Sequence, residues 1–449
     1  AVQIYAVLAD DAQHSLATIS TSVQDSYPSL TPRCPQVHLF EREIYEQLGV
    51  TPKGHPWLKP VRAHDFTPSG GHDKDVQESL SYRYFTMSGK EVHEVAVGPV
   101  HAGVIEPGHF RFQCHGEVVY HLEIHLGYQH RGIEEALLRG PHQRTIFQIE
   151  AVAGDTSIGH GLAYCQALEA LAGVEAPERA QAIRAIALEL ERLANHVGDL
   201  GALATDVGFL PTSSSFGELR GDFLNMGALI CGSRFGRGLV RPGGVNFDID
   251  ETLATQMLKR LKQLEQQLKV AMPIFFKTQS VLNRLEGTGV ISAQTCRDLG
   301  IVGMAARSSG VPRDTRADHP SGYYRNAEIP VALCQSGDVL ARATVRRLEI
   351  EYSIEAVKHL LQSLPNGTTK VVLPELRPNM ICTTMVEGWR GELVHVALTD
   401  DHGRFVHYKV TDPSFHNWPA LAISLRGQQI SDFPICNKSF NLSYCGFDL

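Results

Sequence analysis

The sequence predicts an α+β protein: a small α/β unit followed by a mostly helical body with antiparallel β edges. Three observations predict it. Apolar and polar residues alternate near the start and again through the 90s to 120s, long apolar stripes at helical spacing fill the middle, and strand character returns after residue 370 with Pro and Gly punctuation. At 449 residues the chain exceeds what one hydrophobic core serves, so two or three domains are expected.

The small unit spans 1–63. Alternation predicts strands at 4–8 and 17–21, and the run 40–48 predicts a short helix that Gly49 ends. Paired Gly with clustered Asp, His and Ser predicts a linker at 64–84. The second unit spans 85–449 and opens with antiparallel strands at 92–97, 110–113 and 118–124. Helices follow. Over 178–202, Ile183, Ile186, Leu190, Leu193 and Val197 fall on one stripe, which turns Arg184, Glu191 and Arg192 outward. Similar patterns predict helices at 251–268 and 339–364, and residues 370–426 read as strand.

A net charge of -8 with scattered Lys and Arg excludes nucleic acid as the expected partner. No apolar run approaches the roughly eighteen residues that cross a bilayer, and the first twenty residues lack a basic segment followed by an apolar one. Membrane contact is therefore expected only through partners. Nine cysteines fall singly with no CxxC pair, which argues against a zinc ribbon or a self-contained iron-sulfur site and for free thiols in a reducing cytoplasm.

No Gly-rich phosphate loop follows a strand. His121, Glu123 and His125 alternate and share one strand face; that spacing can hold a metal, but is more commonly the wet face of a half-buried strand. Asn366-Gly-Thr and Asn441-Leu-Ser match the glycosylation pattern and, with no secretory signal expected, are expected to be accidental matches. The richest stretch is 98–160. It gathers His101, Glu106, His109, His130, Arg131, Asp155 and His160 among Gly and Pro, residues that either relay protons and polarise a bound head group or cap turns and tie strands together.

Ordered motifs raise the functional side of that choice. Gly98-Pro-Val-His-Ala, Glu106-Pro-Gly-His-Phe-Arg and Gly127-Tyr-Gln-His-Arg-Gly-Ile-Glu are followed by Pro177-Glu-Arg-Ala-Gln, Arg241-Pro-Gly-Gly-Val, Arg307-Ser-Ser-Gly-Val, Asp318-His-Pro and Arg390-Gly-Glu. Together they resemble the large subunit of membrane-bound nickel-iron hydrogenases and its relative, the 49-kDa subunit of complex I. Earlier, Phe40-Glu-Arg-Glu-Ile-Tyr-Glu-Gln-Leu-Gly and Gly54-His-Pro-Trp resemble the C-terminal half of the 30-kDa subunit of complex I. Such a fusion is the arrangement of formate hydrogenlyase-type hydrogenases.

The resemblance implies site residues as well as a fold. Glu106 falls at the proton-relay carboxylate and Arg390 at the arginine over the metal site, while Asp155, Thr156 and His160 line that place, with His109 nearby. In true hydrogenases two CxxC pairs cradle nickel and iron. Here Ala153 and Thr156 stand at the first pair, and the stretch around Cys436 offers at most one thiol for the second, so no metal centre is expected. The histidine and tyrosine that bind a quinone head group in complex I are matched by Pro107 and Gly154. The resemblance implies a peripheral subunit on the cytoplasmic side of a membrane complex. It would bind no cofactor of its own except a possible quinone, and would work with an iron-sulfur small subunit, a ferredoxin-like subunit, antiporter-like membrane subunits and a possible dehydrogenase. An inert docking subunit and a self-standing metalloenzyme are the other functions open to it.

Overall fold

The computed structural model of the protein describes residues 1–62 and 82–449. The linker expected at 64–84 therefore lies, except for its last three residues, outside the described residues.

Strands Val2–Asp10 and Ser15–Val23 form an antiparallel hairpin that contains both expected strands. Ser26–Pro28 pairs in parallel with Thr51–Lys53, and the helix His38–Leu48 lies between them. That helix ends on Gly49 at φ 69°, a left-handed backbone that costs a residue with a Cβ. Its buried face is charged rather than apolar. Glu46 accepts from the Val61 amide at 2.7 Å, Glu43 pairs with Arg62 and Lys409, and Arg62 donates to the Phe447 carbonyl at 2.7 Å. Ion pairs and backbone bonds thus fasten this helix to the C-terminal end of the chain.

Val92–Val97, His109–His115 and Val118–His125 form an antiparallel sheet in sequential order. Its His121–His125 face is covered rather than wet. Glu123 is buried beneath Lys59, Tyr82 and the Phe85 amide, and the His125 ring stacks on Tyr82 at 4.1 Å.

The helical body is built on Glu178–Asp206, which packs against Leu210–Cys231 and Val339–Gln362. The expectation that Arg184 and Arg192 face outward is corrected: they are 3% and 0% exposed. Protein surrounds this 29-residue helix on more than one side, so its charges find partners inside instead of water. Arg192 reaches Glu189, Glu349 and the carbonyls of Glu387 and Gly388, while Arg307, Arg316, Asp314 and His196 extend the same buried network. Burial is tolerated because nearly every charge there meets an opposite one with hydrogen-bond geometry.

The helix expected at 251–268 runs on as Glu251–Lys277, with Pro273 inside it. A second antiparallel sheet, Ile381–Glu387, Glu392–Thr399 and Phe405–Thr411, lies within the stretch read as strand. The end of that stretch is instead the helix Pro413–Ser424, started by Asp412, whose carboxylate accepts from the Ser414 amide, with Pro413 at the first position. Among the described residues no helix is long and apolar enough to cross a membrane, and all nine cysteines are free thiols.

Candidate functional site

Two turns bring the central pair together. Asp155 precedes the helix Ser157–Ala172, and Arg390 sits in the tight turn Gly388–Gly391 between two strands. Gly391 has φ 145°, and a Cβ there would lie 2.9 Å from the Gly303 Cα, so the turn requires glycine. Arg390 grips Asp155 through two parallel hydrogen bonds of 2.8 Å each, donates from Nε to the Asn441 carbonyl at 2.5 Å, and lies 3.8 Å over the Trp389 ring. Trp389 Nε1 and Asn195 Nδ2 hold the Asp155 carbonyl, and the Thr156 hydroxyl touches both members of the pair. Burial alone would raise the Asp155 pKa, but Arg390 and Thr156 bring it below the ordinary value.

Glu106 is half-buried in the loop before strand His109–His115, and its Oε2 is buried with no hydrogen-bond partner. Burial, then the nearby Asp155 charge, raises its pKa against the opposing effects of Arg390, the Cys445 amide and Arg131. It is therefore a carboxyl that holds its proton to higher pH than usual, beside a fixed carboxylate.

A buried hydrogen-bonded row starts at the same place. Asp412 Oδ2 lies 3.2 Å from His160 Nε2, His160 Nδ1 lies 3.0 Å from His395 Nε2, and His395 Nδ1 lies 2.9 Å from the Tyr408 hydroxyl. Asp412 also interacts electrostatically with Asp155 and Arg390. On the other side a cavity of about 30 Å³ is lined by Asp155, Glu191, Asn195 and apolar residues, room for about two waters. The Glu191 carboxylate, expected to point outward, accepts the Ile158 and Gly159 amides at 2.8 and 3.1 Å, and burial pushes its pKa up to about 8.

Of the residues singled out in the sequence, Glu106, Asp155, Thr156, His160 and Arg390 come together. His109 does not join them: it bonds to the Gly98 carbonyl, receives Arg111 Nε and packs on Tyr84. Cys436 lies by Gly289 and Arg342, away from the pair, and the C-terminal run that approaches is 441–446, with Cys445 beside Glu106 and Asp155. Asn441, in one glycosylation-like triplet, is half-buried and donates to Asp199 at 2.6 Å. Sequence patterns do not single out Asp412 or His395, and they assign Glu191 only to the outward face of its helix. Only the Asp412-Pro413 helix start carried a local signal. Among the described residues no group of three or more His, Cys, Asp or Glu is placed to hold a metal ion.

The match to known proteins follows this architecture. The family described as respiratory-chain NADH dehydrogenase, 49 Kd subunit, matches residues 206–379, and the 30 Kd subunit family matches residues 2–73. The chain is 31% identical over 438 residues to formate hydrogenlyase subunit 5 of Escherichia coli (strain K12), covering 93% of this chain and 76% of that one. It belongs to the family of complex I 49-kDa subunits and membrane-bound hydrogenase large subunits. Another family member, NADH-quinone oxidoreductase subunit 4 of Thermus thermophilus, is 30% identical over 370 residues, 76% of this chain and 90% of that one. The fold also superimposes on a chain of the membrane-bound sulfane sulfur reductase, an archaeal respiratory membrane complex. The TM-score is 0.75 at 25% identity, covering 80% of this chain and 99% of the other. Within this family fold the Asp155–Arg390 pair joins the second sheet to the start of a central helix.

Proposed function

We propose that this chain is the catalytic-position subunit of a membrane-associated oxidoreductase complex, peripheral on its cytoplasmic side, with residues 1–63 as a 30-kDa-like segment and 85–449 as the hydrogenase-like body. Electrons arrive from an iron-sulfur cluster in a neighbouring small subunit, fed by a ferredoxin-like subunit or a dehydrogenase. They pass to a small quinone-like acceptor or drive antiporter-like membrane subunits. Glu106 supplies the proton, and Asp155 and Arg390 fix the charge beside it. The single observation that carries this reading is the unpartnered, buried Oε2 of Glu106 on a carboxyl whose pKa is raised by burial and by Asp155, a poise suited to proton donation.

The reading includes no nickel-iron centre. Ala153 offers no donor, Thr156 offers a hydroxyl engaged with Asp155 and Arg390, and the Cys445 thiol has its pKa raised by burial. That set does not fit a four-thiolate cradle, because thiolates are the species that bind such metals. A second reading, an inert docking role, is favoured by the completeness of the Arg390–Asp155 pair, which leaves a cavity of only about 30 Å³ beside it. Turnover of the intact complex carrying Glu106→Gln, with assembly measured alongside, separates the two.

A further inference from the structure

A second cavity, about 300 Å³, lies between the N-terminal segment, strand Val118–His125 and helix Pro413–Ser424, and none of the Glu106, Asp155, His160 or Arg390 side chains lines it. Its volume matches the lower end of small-molecule pockets, about 300–1,000 Å³. Leu39, Leu122, Leu126, Trp418, Ile423 and Phe447 give it apolar walls.

The charge lining it is unbalanced. Arg42 is 5% exposed, and its guanidinium donates to the Lys59 and Pro60 carbonyls at 2.6 and 2.7 Å and faces Trp57 at 5.0 Å. No carboxylate among the described residues forms an ion pair with it, and burial lowers its pKa despite more distant Tyr82, Glu46 and Glu123. A buried cation without a counter-ion is costly. The one acid in the lining, Glu123, is already taken by Lys59 Nζ, the Tyr82 hydroxyl and the Phe85 amide. His121 presents a buried Nε2 with no hydrogen-bond partner, and Arg426 at the rim has no ion pair among the described residues. Burial lowers the His38 and His121 pKa values, helped by Arg42 at His38 and by Arg426 and Lys59 at His121, where Glu123 opposes the shift.

We propose that this cavity binds a small planar aromatic anion, its ring held by the apolar walls and its acidic group by Arg42, His121 and Arg426. The walls select a ring, the volume limits it to about one ring with a short substituent, and the uncompensated cations select an acid over an alcohol of the same shape. This site is separate from the proposed redox site, so either can fail without the other.

Equilibrium dialysis of radiolabelled benzoate and benzyl alcohol against the intact complex tests it. Benzoate is expected to bind at about one per copy of this chain and roughly tenfold or more tighter than benzyl alcohol, the ratio that one charge-assisted contact supplies. Ala422→Phe, which fills the cavity, removes that binding. Arg426→Gln weakens benzoate several-fold and leaves benzyl alcohol unchanged. If Ala422→Phe fails to assemble, Arg426→Gln at its exposed position decides. Benzoate binding equal to the parent in every assembled variant, or no preference over benzyl alcohol, overturns the proposal.

Discussion

Arg390 holds Asp155 bidentately, with both hydrogen bonds at 2.8 Å, while Trp389 beneath the guanidinium donates to the carbonyl of the same aspartate. One residue pair therefore links a strand turn, a helix start and the C-terminal run at Asn441. The planar fork fixes the carboxylate's position as well as its charge. Glu106 meets both halves of the pair: Asp155 makes its ionisation harder and Arg390 makes it easier.

Glu106→Gln keeps the shape and hydrogen-bonding capacity of the side chain and removes its proton. Turnover by the intact complex is expected to fall by roughly 10²-fold to 10⁴-fold, the range for loss of a general acid-base group, with assembly unchanged. Parental turnover in this variant would leave docking as the better reading.

Arg390→Lys keeps a positive charge but cannot form two parallel bonds to Asp155 while also reaching the Asn441 carbonyl. Hydrogen bonds to charged groups contribute about 1.5–3 kcal/mol, so a roughly tenfold to hundredfold loss of turnover is expected. The pH profile carries a signature that a purely structural role would lack. Burial raises the Asp155 pKa and Arg390 opposes it, so weakening the grip should move the acid limb of the rate profile to higher pH. An unshifted limb with full activity would count against a working pair.

Local patterns were legible where one element decides its own conformation. The alternation at 92–97 became the strand Val92–Val97, and Gly49 ended a helix because its φ of 69° suits glycine. The buried charge network was not legible, since Arg192 meets Glu349 from a helix 157 residues away and periodicity does not register such a partner. His160 could be singled out, but its partners His395 and Asp412 lie 235 and 252 residues further on. The stretch that forms the helix Pro413–Ser424 carries an apolar run that reads as strand and outweighs the Asp-Pro start signal.

The side chains around the pair also predict metal content. Two of the four soft thiolates are missing where Ala153 and Thr156 stand, and burial raises the pKa of the Cys445 thiol beside Glu106 and Asp155, away from the thiolate a metal needs. Purified complex is expected to contain no stoichiometric nickel assignable to this chain and no carbonyl or cyanide infrared bands. About one nickel per chain, or either band, would reverse the reading.

Glu191 supplies the sharpest pH prediction. Burial raises its pKa, the Ile158 and Gly159 amides oppose the rise, and the Asp155 charge adds to it, leaving a value of about 8 against an ordinary 4.5. In the unfolded chain the group loses its proton near 4.5, while the folded protein keeps it to about 8. Between those values the folded state binds the extra proton, so this group's contribution to stability is full below 4.5 and falls as pH rises through about 8, at up to about 1.4 kcal/mol per pH unit. Glu191→Gln cannot titrate, and because the Ile158 and Gly159 amides go to different oxygens of Glu191 its single Oε1 keeps one of the two bonds, a loss that is the same at every pH. The variant's thermal midpoint should therefore lie below the parent's by a fixed offset at about pH 4.5, and the difference should shift in the variant's favour toward pH 8. Parallel curves across that range would mean that Glu191 is ionised in the folded protein, its charge carried by the helix start it caps.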